Sequence, residues 1–600
     1  MTLSRRGVLR AAAWGTGGLA LSALRGLSAA TPAAATGRPG TTLPALDDPR
    51  FPTPLADPLA IPRFVNALPR PARISLLTGG RRRLVMGPTV QDVLGGGRGL
   101  APRLWGYGEG RPGFPGPTLV ARSHQPATLT WVNQLPFAHL LPLDPTVHWA
   151  FTDTGYSIAE HGVPAVVHLH GGHNDAGSDG HPDAWYTRTG VTGPRFTGTR
   201  YRYGNTQEAA TLWYHDHTLG LTRLNVYAGL AGLYLLRDDH ELALIEDNRL
   251  PHGRYELELV LQDRMFQPDG SLAYPGTPVD ASEGTPAPRL ETFGQVILVN
   301  GMAWPRADLE PRQYRLRVLN ASNSRFFRLS VHGSWPFPVH LIGTEGGFLA
   351  RPLALDAPLL LGPAERADLV IDLRGTAGTD FDLTNDAPTP YPDGDPVAPP
   401  ADQVLRFSVN QPTDAAVPEP RLPARLRPQR HTVPGPVART RRLLLFEGTD
   451  ELGRFRPLLG TVEQGALAWS DPVTEEPGLG TAEVWELFNT TGTSHPVHLH
   501  LVRFQVLDRA PFTATQDPAT GALSDIRVGV RRPAAPTEQG PKDTVVAAPG
   551  EVTRIRACFD RPGPYVWHCQ ILEHEDHDMM RAFRVGLRGA GRAVGPPDHP

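Results

Sequence analysis

The chain has 600 residues, enough for several domains, and a formal net charge of −3 at pH 7 from 58 basic and 61 acidic side chains. Lys542 is the only lysine and the arginines form no polybasic block, which argues against a nucleic-acid partner. The 63 glycines and 63 prolines imply many turns and few long helices, and 40% hydrophobic residues supply an ample core.

In chain order, residues 1–35 read as an export leader. Ser4-Arg5-Arg6-Gly7-Val8-Leu9 resembles a twin-arginine motif; a moderately apolar stretch from Leu9 to Leu27 and a small-residue region from Ala29 to Ala35 follow it. Gly, Thr and Arg25 dilute that stretch, so a membrane anchor is the weaker reading. The expected address is export through the twin-arginine machinery to an extracellular, periplasmic or cell-envelope location. The body divides at the charged run Arg237-Asp-Asp-His-Glu241 and at the proline-rich stretch between Gln411 and Pro436, giving segments 45–240, 245–412 and 437–590 with an extended external linker at 413–436. Alternating runs such as Tyr255–Leu261, Tyr314–Leu319 and Thr553–Cys558 predict half-buried strands, and hence β-sandwiches. The segment 245–412 contains no His-x-His pair and is expected to act as a spacer. Only two cysteines are present, Cys558 and Cys569, so a structural disulfide is not expected.

The chemistry sits in four motifs. Val167-His168-Leu169-His170 and Trp213-Tyr214-His215-Asp216-His217 lie in the first segment; His495-Pro496-Val497-His498-Leu499-His500 and His568-Cys569-Gln570-Ile571-Leu572-Glu573-His574-Glu575-Asp576-His577-Asp578-Met579-Met580 lie in the last. On a strand, residues i and i+2 face the same side, so each His-x-His can grip metal from one direction. A cysteine with two histidines and a weak axial methionine suits electron-transfer copper. The two ends of the chain repeat one another. Laid over each other, His215 matches His568 and His217 matches Gln570, so a pseudo-symmetric site lacks one imidazole.

In this order the motifs resemble those of the multicopper oxidases, in particular bacterial spore-coat-type laccases, bilirubin oxidases and phenoxazinone synthases, over about Thr118 to Val585. The resemblance implies an all-β chain of three cupredoxin-like β-sandwich domains. It implies that His495, Cys569, His574 and Met579 hold type 1 copper, and that His168 and His498 hold type 2 copper. The type 3 pair would divide His170 and His215 from His217, His500 and His568, with Gln570 standing where the family completes the first set. Amide oxygen is harder and less basic than imidazole, so weak or absent binding at Gln570 is the expectation.

The implied activity is laccase-like. Phenols, aminophenols or related aromatic donors give single electrons, Cys569 and its neighbour His568 pass them on, and O2 becomes water, with oxygen reduction slowed by the departure at Gln570. Glu575 adjoins a ligand and is either a proton relay or a structural carboxylate. His173, His181 and His577 match no ligand position and are read as loop or supporting residues. The rival reading is a copper-binding or structural envelope protein with decayed oxidase activity. Cuprous-ion oxidation would favour a Met-rich surface, and six methionines speak against it.

Overall fold

The computed structural model describes residues 44–586, apart from 47, 49, 52, 98, 145–146, 148–156, 277–290, 429–430 and 451–453. The leader expected over 1–35 lies outside the described residues. Among the described residues strands dominate and form six sheets, which fall into three pairs along the chain. The first pair covers Arg73–Arg237, the second Glu256–Ser408 and the third Val437–Val585, an all-β chain of three sandwiches. Among the described residues no helix is long and apolar enough to cross a membrane.

Two sheets matter for the site. In the first pair, a five-stranded sheet runs in the order Arg73–Leu76, Gly116–Arg122, Ala231–Arg237, Ala210–Asp216, Val167–His170, so the two histidine-bearing strands are neighbours at one edge. In the third, a four-stranded sheet runs Thr544–Ala547, His495–Leu499, Gly563–Cys569, Met580–Val585, and again the histidine strands are adjacent. Their registers match: His168 pairs with His215 and Val167 with Asp216, as His498 pairs with His568 and Val497 with Cys569. The repeat in the sequence is therefore a repeat in hydrogen-bonded pairing.

Strand alternation is realised in Ala127–Asn133, where every second residue is buried. Glu256–Phe266 and Gln313–Asn320 differ from the expected half-buried form, since both are buried along their whole length. Their polar face is covered by an ionic cluster: Arg237 Nη2 donates to Glu256 Oε2 at 2.6 Å, Arg317 Nε to Glu256 Oε1 at 2.9 Å, and Arg315 Nε to Asp368 Oδ1 at 2.8 Å. Buried charges persist when each finds an opposite charge. One hydrophobic cluster spans the first two sandwiches, and a second, built on Trp485, Trp567 and Phe583, fills the third. The stretch 413–436 has no helix or strand among its described residues, yet it is tied down: Arg421 N donates to Asn248 O at 3.0 Å and Leu426 N to Ala350 O at 2.9 Å.

Candidate metal centre

Gly563–Cys569 ends at the cysteine, and the following chain folds back through the short helix Leu572–Asp576. Met579 N donates to His574 O at 2.9 Å and Cys569 N to Met579 O at 3.0 Å, so the turn closes with Cys569, His574 and Met579 together. His495, at the start of its strand, completes the group: Cys569 Sγ lies 3.5 Å from His495 Nδ1 and 3.9 Å from His574 Nδ1. All four side chains are buried, and burial pushes the Cys569 thiol well above its usual range. A bound cation is what such a thiol needs to ionise, and the donor set of one sulfur, two imidazoles and a thioether fits copper. Thr491 Oγ1 lies 2.8 Å from His495 Nε2, on the side of the ring away from the sulfur.

The second cluster joins the two histidine-bearing sheets. His168 stacks on His500 with ring centres 3.7 Å apart, and His170 stacks on His498 at 3.5 Å. Since His168 corresponds to His498 and His170 to His500, these contacts exchange under a local two-fold relation. Nε2 of His217, His500 and His568 converge, with separations of 3.1, 3.2 and 3.3 Å. Hydrogen bonds on the far side set the tautomers. Nδ1 of His168, His215 and His498 donates to the backbone oxygens of Asp179, Asp216 and Asp543 at 2.5, 2.7 and 2.7 Å, which leaves each Nε2 a lone pair with no partner. His170 is reversed: Nε2 faces Thr544 Oγ1 at 3.0 Å and Asp543 Oδ1 at 3.2 Å, while Nδ1 has no partner. Burial lowers His168, His170, His217 and His500 well below the usual histidine range and takes His215 and His498 to about 3, so all six are neutral. Buried neutral imidazoles with unpartnered lone pairs fit a copper centre.

His170, His498 and Asp543 also lie within ligand reach of one another. This is support, not a further ion site. Burial pushes the Asp543 carboxyl up, but Arg366, which grips it through two nitrogens, and a hydrogen bond from Thr544 hold it below the usual range. Arg366 comes from the middle sandwich and also donates to Thr211 O at 2.9 Å, so that sandwich is more than the spacer expected of it. Asp179 supports the other side: its carboxyl, pushed well above its usual range by burial, lies 2.6 Å from His500 Nδ1. Glu575 is wholly buried, its oxygens 3.3 Å from His217 Nδ1 and 3.1 Å from His568 Nδ1.

The structure therefore brings His168, His170, His215, His217, His498, His500 and His568 into one cluster and His495, Cys569, His574 and Met579 into another. His173, His181 and His577 belong to neither. His173 lies between Thr206 and Asp560, His181 caps the turn Pro182–Ala184 by accepting from Asp183 N at 3.2 Å, and His577 stands 3.6 Å from Asp450. The sequence did not single out Asp179, Asp543, Thr544, Thr491 and Arg366, because single polar residues outside the motifs carry no spacing signal. Both cysteines are free, as expected.

Three β-sandwiches with a cysteine-centred cluster one residue away from a polyhistidine cluster are the build of a copper oxidase. The chain belongs to the multicopper oxidase family: family models described as multicopper oxidase match residues 159–241 and 453–588. A laccase of Bacillus subtilis is 41% identical over 88% of this chain and 99% of its own length. The multicopper oxidase LPR1 of Arabidopsis thaliana is 36% identical over 81% of this chain and 85% of its own. Among solved structures, the McoA multicopper oxidase of Aquifex aeolicus is similar with a TM-score of 0.65 and 26% identity, covering 87% of this chain and 99% of that one. The protein is thus a copper-dependent oxidoreductase with O2 as acceptor.

Proposed function

We propose that this oxidase is laccase-like: it takes single electrons from phenols, aminophenols or related aromatic donors near the rings of His495 and His574, and reduces O2 to water in the polyhistidine cluster. The observation that carries the reading is covalent adjacency, because Cys569 of one cluster is bonded through the backbone to His568 of the other. When bound, copper supplies the one-electron exchange at the first cluster and the reduction of O2 at the second. The protein's part is orientation and exclusion. Asp179, Asp216 and Asp543 fix which ring nitrogen of His168, His215 and His498 faces inward, burial keeps bulk water out, and Glu575 stands beside His217 and His568, at a place where it can pass a proton. A cleft of about 480 Å³ lined by Gly171, His173, Leu501 and Asp560 opens beside the residues that follow His170 and His500.

We assign the type 1 set to His495, Cys569, His574 and Met579, the type 2 set to His168 and His498, and the type 3 donors to His170, His215, His217, His500 and His568. All four type 1 donors are present, which weighs against the decayed envelope-protein reading. Export by the twin-arginine route, and so a location outside the cytoplasm, is part of the proposal and is supported by Arg5-Arg6 and the weakly apolar stretch behind them. The test is optical and respiratory together. Copper-loaded, oxidised protein should be blue and consume O2 with a phenolic donor, and Cys569→Ser should abolish both. A colourless loaded wild type, with reduction to Cu(I) excluded, would sink the type 1 assignment.

A further inference from the structure

Gln570 occupies the position of a histidine in both the repeat and the pairing. Gln570 N donates to Pro496 O at 2.7 Å, as His217 N donates to Val166 O at 2.9 Å, and each acceptor lies two residues before a paired histidine, His498 and His168. His217 meets His500 and His568. The two-fold image of that trio is Gln570 with His170 and His215. Every member of the image trio keeps an unpartnered atom: His170 Nδ1, His215 Nε2, and both Oε1 and Nε2 of Gln570. Gln570 is 1% exposed, so bulk water does not satisfy its amide. A buried amide open at both ends is rare and calls for a partner. Glutamine Oε1 stands the same number of bonds from Cα as imidazole Nε2, so it reaches equally far.

We propose that Gln570 Oε1 is the third protein ligand of the copper ion held by His170 Nδ1 and His215 Nε2, giving that ion two imidazoles and one amide oxygen. This rests on the oxidase reading, and of the weak or absent binding expected at this position it commits to binding. The harder oxygen donor makes this ion the first to leave under a chelator. The test compares copper-loaded wild type, Gln570→His and Gln570→Leu by copper per chain, unpaired-spin count and blue absorption. Wild type and Gln570→His should carry the same complement, Gln570→Leu one ion fewer, and all three the same blue band. Under chelator competition Gln570→His should hold the labile ion at least about 10-fold more tightly than wild type. Equal copper in wild type and Gln570→Leu, whether both are full or both one ion short, overturns the proposal. Loss of blue colour from the wild type is a different failure, of the oxidase reading itself. Because the blue band reports the neighbouring Cys569, its retention in Gln570→Leu shows that the variant has folded.

Discussion

Among the described residues Glu575 is the one carboxylate within 4 Å of two histidines of the converging trio, and it approaches both through Nδ1, the nitrogen turned away from the centre. It follows His574 of the cysteine cluster directly in the chain, so one short helix serves both clusters. A neutral replacement of the same shape separates its two roles. Glu575→Gln keeps the packing beside the two rings but removes the group that could carry a proton. Oxygen uptake should fall about 10- to 100-fold, the usual cost of losing a residue that supports metal ligands. Anaerobic bleaching of the blue band by a donor should keep its rate, because electron entry at His495 and His574 does not involve this carboxylate. Stopped-flow bleaching measured beside steady-state oxygen uptake decides it; an equal loss in both would place Glu575 in electron entry instead.

At the level of strands, the histidines were legible because a period of two puts His168 with His170 and His498 with His500 on one face, and because the repeat set the two halves in correspondence; that His168 pairs with His215 and His498 with His568 is a matter of the folded sheets. Alternation was a poorer guide to exposure. Glu256, Arg315 and Arg317 alternate with apolar residues, as a solvent face would, yet Arg237, Glu241 and Asp368 cover them. A pattern tells which residues share a face and not whether another layer lies over it. The Arg366–Asp543 pair was invisible for the same reason, since its partners are 177 residues apart. Removing only one member strands a buried charge, which costs about 3–5 kcal/mol, whereas removing both often costs much less. Arg366→Met should therefore lower the denaturant midpoint of the copper-free protein more than Arg366→Met combined with Asp543→Asn does. The single variant should also lose copper from the polyhistidine cluster, since His170 loses an oriented partner. Equal destabilisation by the single and double variants would show that the two residues act independently.

For the whole molecule, the polyhistidine centre draws donors from residues as far apart as His168 and His568, so it exists only once the first and third sandwiches are folded and in contact. A metal centre of that kind couples binding to folding. The three-sandwich plan was legible from strand patterning together with the family resemblance. The charged links from the middle sandwich were not, because they depend on contacts no local pattern encodes. An export route that accepts folded proteins suits such a centre, whether copper enters before or after crossing, and Arg5-Arg6 is the feature that would specify it. Replacing both arginines by lysine conserves charge and leaves residues 44–586 untouched, so folding and copper loading should be unaffected while export stops. The expected result is full-length precursor accumulating in the cytoplasm, and no processed protein outside it by cell fractionation and N-terminal sequencing. Processed protein reaching the exterior in wild-type amounts, or exported protein still beginning at Met1, would show that the leader is not read through its arginines or is not cleaved.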